Sequence, residues 1–490
     1  MRKSFIDLHC HPSLKPFGKS FRRGKTQGKN SAKRRQLNSI WHRKRPNLLR
    51  KITNIAAGLT KFTQQDFATL TEANVSVVVV ALYPPEKGLV DSKKGVKFTG
   101  RLARNFVIGI SVKRIRHLQK MKDYFTDLEQ EYNFYLDLNN RIIDVDGVKS
   151  TYRLIKSYDE ITTATPEKDE HIIHVILSIE GAHVFDTGLQ LAGQPAADEQ
   201  KVLANIARVK NWEFPPFFVG LAHHFDNELS GFAKSFEGIV DRLLDQNEDE
   251  DQGLTLLGKK VLNALLDNSG GKRIYIDLKH MNIKSRYEYY QYLLETYPDE
   301  NIPIIVSHGA LLGRDNPINN SVTHNKIADT KELKKINFYD DELIRICESK
   351  GIFGIQLDER RLKRKEERKF LSKLTLGRKR LLRRNARFIW RQIEHIGLIL
   401  NQKGHNAWNT QAVGSDFDGI IDPLNGWWTA KELRFLDQYL LPYADAFMNS
   451  ERSQDLLEKN RIAPEELVAR FMYKNADRFL KEFYNEKSDT

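Results

Sequence analysis

The 490-residue sequence contains only two cysteines, Cys10 and Cys347. Two cysteines cannot form a framework of disulfide bonds, and thiolate ligands for a metal are scarce. No segment approaches the roughly 18 to 20 consecutive apolar residues that a membrane-spanning helix needs, and the apolar segment at residues 75–82 has only the length of a strand. A short basic start and a polar, histidine-bearing strand come first, in place of a long apolar stretch, so we expect a cytoplasmic protein.

Acidic residues are missing from one long segment and rare in another. Residues 15–51 contain 14 lysines and arginines and no acid, and residues 359–391 contain 15 against three glutamates. Because the net charge of the chain is +14, the remainder carries −12. The basicity therefore belongs to two insertions, residues 12–60 after the first strand and residues 359–400 before the last. An anionic partner is one interpretation, but the first segment has few interleaved aromatic residues and neither matches a nucleic-acid-binding motif. We favour solvated surface segments and expect no nucleic-acid partner.

Short apolar segments recur along the chain with helical patterns between them. Most are β-branched and nearly continuous, as in parallel strands that are buried on both faces. Eight such strands predict an α/β fold, a (β/α)8 TIM barrel formed by residues 1–490 as one domain with long insertions. A doubly wound open sheet would give the same alternation, but no glycine-rich phosphate loop follows the first strand. The predicted strands are Phe5–Leu8, Val75–Leu82, Ile172–Ile179, Phe217–Leu221, Ile274–Leu278, Ile302–Val306, Ile352–Leu357 and Ala412–Gly414.

Ligand-type side chains stand at six of the eight predicted strand ends. In a barrel of this kind, the carboxyl ends of the strands form the rim that carries the chemistry. At the first strand, His9 and His11 lie two residues apart and so face the same side, where they can bind one ion together. Such a set at one rim predicts a metal site. The residues are His9 and His11, Glu180 and His183, His223 and His224, His280, His308, and Asp416 and Asp418.

Five of these residues, His9, His11, Glu180, His280 and His308, are too many for one tetrahedral ion with an open position. They fit two divalent ions that share the carboxylate of Glu180, with the first two histidines on one ion and the last two on the other. Imidazole and carboxylate ligands suit zinc, our first choice, and also manganese or iron. Two ions in contact with one water lower its pKa and polarise a substrate oxygen, which predicts a metal-dependent hydrolase.

Residues 178–183 read Ser-Ile-Glu-Gly-Ala-His, residues 220–223 read Gly-Leu-Ala-His, and residues 414–419 read Gly-Ser-Asp-Phe-Asp-Gly. These segments resemble the Glu-Gly-Gly-His, Leu-Thr-His and Gly-Gly-Asp-Phe-Asp-Gly motifs of the membrane (renal) dipeptidase family in the amidohydrolase superfamily. Residues 276–280 and 305–308 are similar to the segments that supply that family's second pair of metal-binding histidines. The similar segments occur in the same order along the whole chain, but each is short and long insertions separate them.

The resemblance implies hydrolysis of the peptide bond of a dipeptide by a hydroxide that bridges the two ions. It implies that Asp416 is the catalytic acid and base, and that His223 binds substrate and stabilises the developing oxyanion. We expect His183 and His224 to lie behind the metal ligands. We expect Asp418 to structure its loop.

Two departures limit what the resemblance implies. The family has His-x-Asp at the first strand, whereas this chain has a second histidine, His11. The family's Arg-Asn after the sixth strand, whose arginine binds the carboxylate of the substrate, is replaced here by Ile336-Asn337. We therefore expect another cation to bind that carboxylate, with Arg314 as the first candidate and Lys326 as the second.

Two alternative functions stay open. Residues 7–11 also resemble the opening motif of phosphoesterases of the polymerase-and-histidinol-phosphatase family, although that family is not expected to carry residues 178–183 together with residues 414–419. The other alternative is a non-catalytic barrel that binds an anionic partner through its basic insertions. Residues 12–60 have few apolar side chains, so we expect them to cover the pocket or to pack on a partner chain, and a homodimer is left open.

Overall fold

A closed parallel barrel forms the centre of the fold, as seen in a computed structural model that describes residues 5–22, 28, 36–91, 98–163, 170–189, 195–236, 244, 246, 252–323, 335–368 and 377–485. Eight strands close the barrel because β2 pairs in parallel with both β1 and β5, while β10 pairs with β1. A hairpin, β3 and β4, extends the sheet beside the first half of β5. The predicted (β/α)8 barrel is confirmed. The strands are β1 (Ile6–Cys10), β2 (Val77–Leu82), β3 (Ile143–Val145), β4 (Val148–Leu154), β5 (Glu170–Ile179), β6 (Phe218–Gly220), β7 (Tyr275–Asp277), β8 (Ile305–Gly309), β9 (Ile352–Ile355) and β10 (Gln411–Val413).

Helices surround the barrel and fill the connections between its strands. The α-helices are Leu14–Ser20, Leu48–Ala57, Phe67–Glu72, Lys87–Val90, Phe98–Ile108, Val112–Lys120, Tyr124–Leu136, Asp159–Thr163, Glu199–Lys210, Leu256–Leu266, Ile283–Thr296, Asp340–Glu348, Glu359–Leu362, Arg378–Gln402, Ala430–Leu433, Leu436–Met448, Pro464–Ala469 and Asn475–Phe483. Short 3-10 helices span Ala182–Phe185, Lys365–Arg368, Glu451–Ser453 and Glu458–Asn460, and a π-helical turn spans Arg470–Lys474. Within the described ranges, no helix combines the length and apolarity that a bilayer crossing requires.

All eight predicted barrel strands are present, because their side chains face apolar surroundings on both sides of the sheet. β2, with the sequence Val-Val-Val-Val-Ala-Leu, is buried at every position. The sequence pattern did not predict the hairpin, whose strand β4 reads Val-Lys-Ser-Thr-Tyr-Arg-Leu and begins with two exposed residues. The side chain of Asp123 caps the helix Tyr124–Leu136 by accepting from the amide of Thr126, so this helix begins separately from the preceding helix Val112–Lys120.

Two layers of apolar side chains pack on the sheet. One large cluster joins the strands to the surrounding helices. A second cluster joins alternate strand residues to the C-terminal helix Asn475–Phe483, whose side chains therefore fill one end of the barrel. The second cluster contains Ile6, Leu8, Val77, Val79, Ile176, Phe218, Ile305, Ile352, Ala412, Ala476, Phe479, Leu480 and Tyr484.

The described part of the first basic insertion packs against the barrel rim. Its first helix, Leu14–Ser20, starts three residues after His11 and buries Leu14 and Phe17. The ammonium of Lys15 donates to Asp418 Oδ1 at 2.8 Å, which ties this helix to the loop that follows β10. The insertion therefore borders the pocket, while residues 23–27 and 29–35 lie outside the described residues.

Candidate metal centre

The carboxylate of Glu180 is surrounded by imidazole nitrogens at the carboxyl end of the barrel. Its Oε1 lies 3.3 Å from His9 Nε2, 3.4 Å from His280 Nε2 and 3.6 Å from His308 Nε2. Its Oε2 lies 3.1 Å from His11 Nε2. The ligand atoms form two groups that can each hold an ion, namely His9 with His11 and Glu180, and Glu180 with His280 and His308. The five predicted ligands come from β1, β5, β7 and β8, and the structure brings them together.

A buried ring nitrogen without a hydrogen-bond partner indicates that these residues fit metal ions. Within the described part of the chain, His308 Nε2, which lies 3.6 Å from Glu180 Oε1, is buried and makes no hydrogen bond. A buried nitrogen that is unpaired costs free energy unless another group binds it, and a divalent ion is the group that imidazole and carboxylate ligands together suit. The donor set therefore fits the two divalent ions that the sequence predicts.

The electrostatics of the site favour an ionised Glu180 and neutral imidazoles at His280 and His308. At His11, burial lowers the pKa but the charge of Glu180 outweighs it and raises that pKa above its ordinary value. Burial opposes ionisation of Glu180, but the charges of His223, His11 and His9 outweigh it and hold the pKa of the carboxyl well below its usual range. Burial, followed by repulsion from neighbouring histidines, lowers the pKa of His280 and of His308 well below the usual value. A metal binds the carboxylate and the neutral imidazole, so the shifts at Glu180, His280 and His308 prepare these side chains as ligands.

Unusual backbone conformations place the side chains of the site. Gly181 follows Glu180 with φ of +93°, and a Cβ at this position would lie 2.4 Å from His183 Nδ1 and 3.1 Å from His223 Cβ. Only glycine allows this approach, so the residue after the ligand cannot carry a side chain. His280 (φ +70°) and Asp416 (φ +59°) adopt the left-handed region that side chains rarely occupy, as functional residues often do.

His223 is held in place by Glu86, which follows the end of β2. His223 Nδ1 donates to Glu86 Oε1 at 2.9 Å, and its Nε2 lies 3.4 Å from Glu180 Oε2. The same Glu86 oxygen accepts the amide hydrogen of His224 at 2.9 Å, and Tyr83 also hydrogen-bonds to Glu86. Burial lowers the pKa of His223, but the charges of Glu86 and Glu180 outweigh it and raise that pKa above its ordinary value. An imidazolium with Nε2 directed at the site can donate to an oxyanion.

Asp416 faces the ligands from the loop after β10. Its Oδ1 lies 3.6 Å from His11 Nε2, and its Oδ2 accepts a hydrogen bond from Gln356 Nε2 at 2.6 Å. The buried ammonium of Lys279 donates to Gln356 Oε1 at 3.0 Å, and burial and then Arg361 lower the pKa of Lys279 to about 7. Burial and then repulsion from Glu180 raise the pKa of Asp416, the direction that suits a group which both accepts and releases a proton.

Asp418, two residues later, has a different environment from Asp416. Its Oδ2 accepts from the backbone amides of Gln64 and Gln65 at 2.9 and 2.8 Å, and its Oδ1 accepts from Lys15. Asp418 thus joins three loops, and among the described residues it makes no hydrogen bond or ion pair with the imidazoles. His183, which follows Glu180 and Gly181, likewise turns away from the ligands, since its Nε2 bonds to the carbonyl of Pro84 at 2.8 Å.

A pocket of about 30 Å³ opens over the ligands. Its lining includes His11, Glu180, His223, His280 and Asp416, so three of the predicted ligands and the predicted acid and base face one cavity. Two consecutive arginines, Arg360 and Arg361, also line this pocket, and both follow β9.

The arginine that the sequence suggested for carboxylate binding lies elsewhere. Arg314 does not line the pocket, because its segment pairs with Val322 and its guanidinium hydrogen-bonds to the carbonyl of Asn320. The position of Arg314 therefore does not support the predicted carboxylate contact, and the guanidinium groups that line the pocket are those of Arg360 and Arg361. Lys326, the second candidate, lies outside the described residues.

Sequence reasoning missed the residues at the two strand ends that had no predicted ligand. β2 is followed by Tyr83 and Glu86, and β9 is followed by Gln356, Arg360 and Arg361. The sequence signal that could have identified these residues is their position after a strand, because every strand end of a barrel borders the same rim. The six predicted positions carry metal ligands or acids at a strand end, whereas Gln356 is an amide and Arg360 and Arg361 are guanidinium groups.

Comparisons with known proteins show similarity of structure. No family model matches the sequence, and no curated protein matches it. The crystal structure of dipeptidase AC, a metallopeptidase, has a TM-score of 0.50 and 14% identity over 99% of this chain and 100% of that chain. The probable dipeptidase PvdM from Pseudomonas aeruginosa has a TM-score of 0.48 and 14% identity, over 86% of this chain and 89% of that one.

A third solved structure is a metallopeptidase from Rhodobacter sphaeroides liganded with a phosphinate mimic of the dipeptide L-Ala-D-Ala. It has a TM-score of 0.46 and 15% identity, over 98% of this chain and 99% of that chain. At identities this low, structural similarity establishes the fold alone. This chain therefore shares its barrel fold with dipeptidase AC across nearly its full length.

Proposed function

We propose that this protein is a metal-dependent hydrolase that cleaves the peptide bond of dipeptides, a metallodipeptidase of the membrane dipeptidase type. The observation that carries the proposal is the position of Glu180, whose two carboxylate oxygens lie within 3.1–3.6 Å of ring nitrogens from four other predicted ligands. The fold shared with dipeptidase AC supports the same conclusion. His9, His11, Glu180, His280 and His308 would hold two divalent ions, with zinc as the first choice.

Bound ions would activate water and polarise the carbonyl of the substrate, which is the chemistry that divalent metals supply in hydrolases. The side chains of the protein provide the other functions. Asp416 accepts a proton from the attacking water and delivers it to the leaving amine, while Gln356 holds its Oδ2. His223 donates from Nε2 to the developing oxyanion, with its Nδ1 hydrogen bonded to Glu86.

The first test is hydrolysis of dipeptides by protein loaded with zinc. We expect release of free amino acids from part of a dipeptide panel, loss of activity after a chelator removes the metal, and recovery when metal is restored. A phosphomonoester and single-stranded nucleic acid serve as controls for the two alternatives. Phosphatase activity without dipeptide cleavage would contradict the proposal, as would salt-dependent binding to nucleic acid without any hydrolysis.

Arg361 is the residue that we propose to bind the free carboxylate of a dipeptide. It lines the pocket, is 2% exposed, and donates from Nη2 to the carbonyl of Ser235 at 2.7 Å. Its neighbour Arg360 makes a two-point contact with the carboxylate of Asp358, at 2.6 and 2.9 Å. A guanidinium suits this task because its planar N–H groups can make two charge-assisted hydrogen bonds to one carboxylate.

We expect Arg361→Ala to raise the Michaelis constant for free dipeptides by about 10- to 100-fold, since a hydrogen bond to a charged group contributes roughly 1.5–3 kcal/mol. The Michaelis constant for dipeptides with an amidated C-terminus should change much less. Steady-state kinetics on both substrate series measure the ratio, and Arg314→Ala is the matched control. If Arg314→Ala changed the ratio of the Michaelis constants for free and amidated dipeptides, while folded Arg361→Ala left it unchanged, the carboxylate would be bound by Arg314 and not by Arg361.

A further inference from the structure

Three buried histidines form a second ligand group beside the residues around Glu180. One ring nitrogen from each of His223, His224 and His280 lies within 4.8 Å of the others. The ring centroids are 3.6 Å apart for His223 and His224, 4.5 Å for His223 and His280, and 5.1 Å for His224 and His280. Of these three histidines, only His280 is a proposed ligand of the two ions around Glu180. The other two, His223 and His224, line the same cavity.

Hydrogen bonds hold both additional imidazoles by the nitrogen that faces away from the cavity. His223 Nδ1 bonds to Glu86 at 2.9 Å, and His224 Nδ1 bonds to the hydroxyl of Ser235 at 2.7 Å. The Ser235 hydroxyl also accepts from Gln246 Nε2 at 3.2 Å. Histidines that bind metals characteristically donate their other ring nitrogen to a carboxylate, carbonyl or similar acceptor, which fixes the ring and its tautomer. Nε2 of each ring is therefore the nitrogen available for a ligand bond.

The two ring nitrogens of His280 have different surroundings. Its Nε2 lies 3.4 Å from Glu180 Oε1, whereas its buried Nδ1 makes no hydrogen bond in the described part of the chain. His280 Nε2 can therefore serve the group around Glu180, while Nδ1 remains for the group with His223 and His224.

We propose that His223, His224 and His280 form a third metal site, which binds a divalent ion such as zinc and inhibits the enzyme. Three imidazole nitrogens with an open position are a typical ligand set for zinc. The site is weaker than the other two, because it shares a ligand and lies close to other divalent cations that repel a third. The inference rests on the proposed function in taking the ions around Glu180 as the catalytic pair.

Occupation of the third site would compete with substrate. An ion bound to His223 Nε2 removes the hydrogen that this residue would donate to the substrate, and it fills part of the pocket that His224 lines. By mass action, free zinc at ten times the dissociation constant of the third site would raise the apparent Michaelis constant by about tenfold. The third ion thus acts as a competitive inhibitor at high metal concentration.

Metal counting tests the site without reference to activity. Apoprotein is saturated with zinc, the bound zinc is counted by elemental analysis, and crystals are examined for anomalous scattering from zinc. We expect three ions per chain in the wild type and two in His224→Ala. The control His174→Ala removes a buried histidine from the first half of β5, whose Nδ1 bonds to the carbonyl of Ser76, and this variant should bind three ions. Equal counts in the wild type and His224→Ala, or a third ion away from these histidines, would overturn the site.

The kinetic arm tests inhibition. For each variant, the Michaelis constant for a dipeptide at excess zinc is divided by that at stoichiometric zinc, so each protein is its own reference. We expect this ratio of Michaelis constants to be well above one in the wild type and in His174→Ala, and close to one in His224→Ala. A ratio in His224→Ala as high as that of the wild type would overturn the inhibitory role. If no dipeptide is cleaved, the proposed function fails, while the zinc count still decides whether the third site exists.

Discussion

Glu180→Gln should bind both catalytic ions at least about a hundredfold more weakly and lose almost all hydrolysis. The carboxylate belongs to both ligand groups, and its two oxygens face different histidines. Surrounding charges hold its pKa well below the usual range, despite burial, so the anion is the form present in the site. Glutamine has nearly the same shape but no charge, and its amide nitrogen cannot bind a cation. Even indirect supporting partners of metal ligands change affinity by 10- to 100-fold, and this residue would bind the ions directly.

The measurement for Glu180→Gln is zinc affinity by competition with a chelator, followed by dipeptide kinetics at stoichiometric zinc. Glu131→Gln is a matched control, because Glu131 is also buried and accepts from Ser13 at 2.6 Å and from the amide of Tyr83 at 2.8 Å. It belongs to no ligand group found in the described residues. The control should retain both ions. Retention of two tightly bound ions in Glu180→Gln would exclude a bridging role for this carboxylate.

The barrel and the grouping of the candidate metal ligands could be predicted from the sequence for the same physical reason. Strands such as β2 are buried on both faces and so appear as continuous β-branched runs. Once the ends of these runs are known, the parallel arrangement requires that the residues after them share one rim. His11, Glu180 and His308 could therefore be grouped although they lie far apart in the chain.

Positions further from a strand end could not be predicted, because loop paths depend on contacts that leave no periodic pattern. Arg314 is five residues after Gly309, the last residue of β8, yet its segment pairs with Val322 and carries the guanidinium away from the pocket. Arg361 is six residues after Ile355, the last residue of β9, and faces the pocket. Similar distances from a strand end thus led to opposite positions. Glu86 was missed for a related reason, since it acts on the site through His223 rather than as a ligand.

The proton-carrying role assigned to Asp416 depends on contacts that leave its carboxylate facing the ligands. Gln356 Nε2 donates to Oδ2 at 2.6 Å, while Oδ1 lies 3.6 Å from His11 Nε2. Burial and then the charge of Glu180 raise the pKa of this carboxyl, which brings proton uptake and release closer to neutral pH. The same side chain also belongs to a group of ligand atoms with His9 and His308, which would give it a second role as a metal ligand. When the carboxylate is removed, a proton carrier would lose turnover, whereas a metal ligand would lose a bound ion.

Asp416→Asn should therefore lower turnover by roughly a hundredfold or more, the range of general acid–base catalysis, with little change in the Michaelis constant. Asparagine can still accept the hydrogen bond from Gln356, so the loop is kept, but its amide cannot take up the proton of the attacking water. Turnover is measured at saturating dipeptide together with the zinc count, and both ions should stay bound. Asp418→Asn is the control, because Asp418 accepts from the amides of Gln64 and Gln65 and holds loops together; we expect a smaller loss of turnover there. Loss of one ion from Asp416→Asn would identify Asp416 as a metal ligand, and undiminished turnover would remove it from the reaction.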